Sequence, residues 1–97
     1  MHNQNIHEVE LLSQKIEKNT ATLEDYKRYE NLLLNGGFTH DYIFSNLNRA
    51  GFWSWEEFIA ARQKKEKDKD TEANIVGGLI GIGLGLLLLG MWEGKKK

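Results

Sequence analysis

The chain has 97 residues, no cysteine, no proline, ten glycines and a formal net charge of −1. That length holds one small domain near the lower limit for a self-sufficient core. Without cysteine there are no disulfides, thiolate zinc sites or cysteine nucleophiles. Charge is unevenly placed. Residues 1–74 carry ten Lys/Arg against thirteen Asp/Glu, residues 75–92 carry none, and 93–97 hold three lysines and one glutamate. A net-acidic N-terminal part argues against nucleic-acid binding.

The chain reads as all-α: a small N-terminal four-helix domain of two helical hairpins over residues 1–63, followed by one transmembrane helix. The first helix is expected over Gln4–Lys18, where Ile6, Val9, Leu12 and Ile16 form one apolar stripe. Glu8, Glu10, Lys15 and Glu17 lie largely opposite it, and Asn19 marks the end. Thr22 then suits an N-cap, with Glu24 and Asp25 in the first turn where carboxylates favour the helix dipole. Leu23, Tyr26, Leu33 and Leu34 build an apolar face that stops at Gly36-Gly37. Helices joined by so short a link should pack as an antiparallel hairpin.

The second hairpin is punctuated by its caps. Thr39 caps an expected helix over Asp41–Arg49, with Phe38 and Ile43 placed as a hydrophobic staple, and Gly51 ends it. Ser54-Trp-Glu-Glu57 has the form of a capping box, with Trp53 and Phe58 as a second staple, and this helix should run from Trp55 to about Lys65. Phe52, Trp53, Trp55 and Phe58, with Tyr42, Phe44 and Leu47, supply most of the large apolar surface of this half. Trp53 and Trp55 are two positions apart around a helix start, so both cannot face one core. The expectation is that Trp55 is the exposed one, and that Trp53, Trp55 and Phe58 mark a surface for a protein partner. Helix, glycine turn and helix also describe a helix-turn-helix DNA reader. Here the would-be recognition helix opens Trp55-Glu-Glu-Phe, with carboxylates where phosphate contacts belong, so a plain hairpin is the better reading.

Lys64–Asp70 mixes charges of both signs without an apolar residue, and residues 64–74 read as a charged, solvated spacer rather than a polybasic lipid-binding stretch. Residues 75–92, IVGGLIGIGLGLLLLGMW, are uncharged throughout. As a helix they span about 27 Å, close to the hydrocarbon thickness of a bilayer. A chain of this size can hardly wrap such a helix on all sides, so a transmembrane helix is expected rather than a buried core helix. The apolar run is C-terminal, so a single-pass tail anchor is expected rather than a signal peptide. Trp92 and the tail lysines Lys95, Lys96 and Lys97, within the basic tail 93–97, are expected as interfacial anchors. Arg62, Lys64, Lys65, Lys67 and Lys69 lie upstream against three lysines downstream, which favours a cytoplasmic N-terminal domain.

Gly77, Gly81 and Gly85 are spaced by four and form a ridge on one face of this helix. Such a ridge lets a second helix approach closely, most simply in a homo-oligomer. Gly81, Gly83 and Gly85 also invite comparison with a dinucleotide loop, but Leu86 takes the place of the final glycine and no strand precedes it.

No constellation supports catalysis, and no cofactor or metal is expected. His2, His7 and His40 lack metal-ligand spacing, His40 and Asp41 are adjacent and diverge along a helix, and Ser45 and Ser54 have no basic partner in the pattern. The expected function is therefore non-enzymatic: an interaction or scaffold module held at the lipid bilayer, self-associating through the glycine ridge and binding a protein partner through its soluble domain. The alternatives are an oligomerising, holin-like or toxin-like permeabiliser, or an accessory subunit of a larger membrane complex.

Overall fold

The computed structural model describes residues 3–64 and 69–96, with side chains over 6–64 and 69–88. Among the described residues all regular structure is helical: α1 (Asn3–Glu17), α2 (Leu23–Asn35), α3 (His40–Ile43), α4 (Ser45–Arg49), α5 (Trp55–Lys64) and α6 (Lys69–Lys96). The helices α1 and α2 form the expected antiparallel pair, tied by Glu8 to Arg28 at 2.7 Å and by Lys15 to Asp25 at 3.7 Å.

The breaks between helices follow from local backbone chemistry. Thr22 and Asp25 make a reciprocal capping box at the start of α2, and the Thr39 hydroxyl accepts the Tyr42 N–H. The ends of α1, α2 and α4 share one device. In each, the residue two beyond the C-cap donates back to a carbonyl of the last turn: Thr20 to Lys15, Phe38 to Leu33 and Phe52 to Leu47, at 2.9, 3.1 and 2.9 Å. The intervening residue must take positive φ, and it is Asn19 (61°), Gly37 (108°) or Gly51 (94°). The segment read as one helix over Asp41–Arg49 is two short ones, because Phe44 (φ −89°, ψ 2°) leaves helical geometry and Ser45 Oγ donates to the Tyr42 carbonyl at 2.9 Å. That break aims Phe44 at Trp55, ring centroids 4.6 Å apart.

The core joins the expected stripe on α1 (Val9, Leu12, Ile16) to Tyr26, Tyr29, Leu32 and Leu33 of α2 and to Phe44, Leu47, Phe52, Trp55 and Phe58. It extends without a break into α6 through Ile75, Val76, Leu79 and Leu86. Residues 69–74, read from the sequence as part of a spacer, form the first turns of α6; residues 65–68 lie outside the described residues. The small domain does not wrap the apolar helix. It covers one side of it.

One buried charge joins four helices. Arg62, counted above in a basic flank, is 7% exposed. Its Nε donates to Glu72 of α6 at 2.7 Å, and its Nη1 donates to the Ile16 carbonyl at 2.7 Å and to the Tyr26 hydroxyl at 2.9 Å. The Ile16 carbonyl, which also accepts from the Asn19 N–H at 3.1 Å, belongs to the last turn of α1, where a cation is favoured. The guanidinium also lies 5.7 Å from the centre of the Phe58 ring. Removing it takes from the buried Tyr26 phenol its donor and leaves the Ile16 carbonyl with the Asn19 N–H alone. Arg62→Met should therefore lower the stability of the full chain by about 3 kcal/mol. Arg62→Lys should recover only part of this, since a single ammonium cannot reproduce the divergent Nε and Nη1 contacts. Urea titration followed by tryptophan fluorescence reads both, and an unchanged midpoint for Arg62→Met would discount the hub.

Candidate functional site

The site is the two-sided helix α6. Among the described residues it supplies one helix, over Lys69–Leu88, that is long and apolar enough to cross a membrane. Its inner face is docked. Ile75, Val76, Leu79, Gly83 and Leu86 are buried against the domain, and Leu87 packs at its edge. Three glycines make the approach possible. A side chain at Gly78 would strike the Asn46 amide, one at Gly83 would strike the Tyr29 hydroxyl, and one at Gly36, the C-cap of α2, would strike Leu86.

At Gly83 the contact is polar as well as close. Tyr29 reaches into the helix and donates its O–H to the Leu79 carbonyl at 2.7 Å, while its oxygen accepts from Ser13 Oγ at 3.1 Å. The Gly83 N–H faces the same oxygen. Leu79 and Gly83 are helical i and i+4 partners, so the phenol inserts beside one rung of the α6 ladder. Sequence reasoning missed Gly78 and Gly83 because they break the four-residue spacing that singles out their neighbours. Gly83 does carry a signal. It lies on the stripe shared by Ile75, Val76, Leu79 and Leu86, where a small residue implies close packing.

The outer face is open. Gly77, Gly81, Leu84 and Leu88 follow one another at helical spacing, and Leu84 and Leu88 are 54% and 65% exposed. A side chain at 77 or 81 would meet no atom within 4 Å, whereas one at Gly85 would lie 3.8 Å from Phe38 Cζ. The structure thus brings Gly77 and Gly81 onto the free face and sets Gly85 at its border. Beside it, α3 and α4 leave an open cleft of about 370 Å³, lined in part by Phe38, Tyr42, Arg49 and Gly81. Of the expected interfacial anchors, the side chains of Trp92, Lys95 and Lys96 lie outside the described residues, as does Lys97 altogether.

The aromatic surface is corrected by the structure. Trp55, expected to be exposed, is 3% exposed, and Phe58 is 1% exposed. The Trp55 ring lies between Tyr26 (5.2 Å) and Phe44 (4.6 Å), and its Nε1 donates to Glu30 at 2.9 Å, so its one polar atom is satisfied. Phe52, not Trp53, meets Phe58, with centroids 5.6 Å apart. Trp53 is the exposed tryptophan, at 69%. The cap at this helix start is also shifted. Ser54 Oγ accepts from the Glu57 N–H at 3.2 Å, but the Glu57 carboxylate accepts from Trp53 N–H rather than from Ser54. The Trp53 ring lies outward, and Phe52 fills the staple.

Compared with known proteins, the chain matches no family model, no curated protein and no solved structure.

Two predictions follow from the docked face. Burial raises the phenols of Tyr26 and Tyr29 above their ordinary value of 10.0, partly offset by Arg62 at Tyr26 and by Ser13 and Gly83 at Tyr29. A raised folded value favours the folded state below the unfolded value, and that contribution is lost as pH rises through the folded one. Alkaline titration should therefore show both phenols ionising together with the loss of helical circular dichroism; ionisation with helicity intact contradicts their burial. The second concerns the two glycine faces. Gly83→Leu should strip hydrogen-exchange protection from the α6 amides, whereas Gly81→Leu should leave it unchanged. Equal effects would mean that the docked face has been misassigned.

Proposed function

We propose that this protein is a non-enzymatic interaction module associated with the membrane through α6, and that copies of it assemble along the outer face of that helix. The observation that carries this reading is the free apolar stripe of Gly77, Gly81, Leu84 and Leu88 on a helix of bilayer-spanning length. An apolar face of this kind is suited to lipid or to another helix rather than to water. Gly77 and Gly81 suit close helix contact, and Leu84 and Leu88 flank them. The partner-binding role assigned to the aromatic surface passes to Trp53, with the exposed Tyr42 near the adjoining cleft. On this reading the N-terminal domain faces the cytoplasm, on the side of the basic residues that precede the span.

A second reading is favoured by the docking itself. A membrane effector that inserts, oligomerises and disrupts the bilayer needs its apolar helix covered beforehand, and the surface formed by α1 with α2 and α4 supplies such a cover on one side. The two readings diverge when α6 is exchanged for an unrelated membrane helix. A module keeps its partner and its location, whereas an effector loses its effect on growth.

Light scattering of the full-length protein in mild detergent tests the assembly step. The expected result is a defined oligomer that becomes a monomer in Gly81→Leu, because a Cβ there meets no atom of the protein's own fold within 4 Å and the added side chain obstructs a neighbour's close approach. A monomer in both proteins rules out self-association through this face and leaves α6 as an anchor alone.

A further inference from the structure

We infer that α6 exchanges between the groove of its own domain and the bilayer, so that the docked form described here is a latched state in which membrane insertion is blocked. This inference rests on the reading of α6 as the membrane-associating segment. It follows from an exclusion: the residues that would span a bilayer, 75–92, are the ones whose first two-thirds are packed on the domain. A bilayer drawn around docked α6 would also enclose the charged outer sides of α1 and α2, including the Glu8–Arg28 and Lys15–Asp25 pairs. Charged side chains in hydrocarbon are strongly disfavoured. Docked and spanning α6 are therefore alternatives.

The contacts divide into a pivot and a latch. Glu72 precedes the apolar run, so its 2.7 Å pair with Arg62 can hold the base of α6 in either state. Farther along, the Tyr29 bond to the Leu79 carbonyl and the seat of Leu86 against Gly36 exist only while α6 is docked. Release exposes the surface formed by α1 with α2 and α4 to water, while the apolar face of α6 trades protein contact for lipid contact. In plain water neither exchange is compensated. A bilayer compensates the second.

The absence of cysteine makes the latch directly testable, because an engineered pair is the only thiol pair in the chain. A Cβ at Gly36 would lie 3.2 Å from Leu86 Cγ, the position a sulfur at residue 86 would occupy, and Gly36 has φ −81°, which any residue adopts. That spacing suits a disulfide. The full chain carrying Gly36→Cys and Leu86→Cys is mixed with vesicles of equimolar phosphatidylcholine and phosphatidylglycerol and sedimented, oxidised or reduced. The inference expects the reduced form to bind and the oxidised form to bind at least about tenfold more weakly. Tyr29→Phe, which keeps the ring and loses the hydroxyl that donates to the Leu79 carbonyl and accepts from Ser13, should bind vesicles about fivefold more strongly than the native chain. Equal binding of the oxidised and reduced forms overturns the latch, as does native-like binding by Tyr29→Phe should the disulfide fail to form. A native chain that binds no vesicles, together with Tyr29→Phe and the reduced pair that bind none either, overturns the membrane reading itself.

Discussion

The fold depends on how Arg62 is satisfied. A guanidinium at 7% exposure is costly to bury unless its N–H groups find acceptors. Here the acceptors come from the end of α1, the first turn of α2 and the first turns of α6. The side chain sits where α1 ends, so its charge also favours the negative end of that helix. This single residue explains why residues 69–74 do not behave as a free spacer. Once Glu72 is bound, the helix that follows is directed back along α1. The apolar run then lies against the domain instead of projecting from it.

Much of this was legible in the sequence, because helix ends are encoded locally. Thr22, Thr39, Gly37 and Gly51 each impose a backbone requirement that no distant contact can relax, and the structure has them where the pattern placed them. The stripe of Val9, Leu12 and Ile16 was equally plain, since its period is that of the helix. What was not legible depends on long-range pairing. Arg62 looks like any basic residue in a flank until Ile16 and Tyr26, distant in the chain, are placed beside it. Trp55 and Trp53 are indistinguishable by type and spacing. Their roles are decided by Glu30, which offers an acceptor to one indole, and by the Glu57 carboxylate, which fixes the backbone of the other.

The glycines of α6 show the same division. A four-residue spacing makes Gly77, Gly81 and Gly85 conspicuous, yet they face outward or lie at the border of the outer face. The glycine that the docked face most needs is Gly83, where a side chain would meet the buried Tyr29, whereas at Gly78 it would displace only the end of the Asn46 side chain. Periodicity finds faces, but it does not tell which face is already occupied. The inner face admits a close neighbour from this chain at Gly83, and on the reading proposed above the outer face admits one from another.

That distribution has an energetic consequence for the helix itself. Six glycines lie within residues 75–92, and each is about 1 kcal/mol less favourable than alanine in a helix surrounded by water. An isolated α6 in water is thus a poor helix with an apolar surface, disfavoured twice over. Docking removes part of the surface and fixes the backbone through tertiary contact. A bilayer removes all of it and enforces the helix, since an unsatisfied peptide group in hydrocarbon is costlier than any glycine penalty. Both environments support the helix that water alone does not, and the two compete for the same residues. On the exchange proposed above, the low intrinsic propensity disfavours the free helix in water relative to the docked and the inserted one.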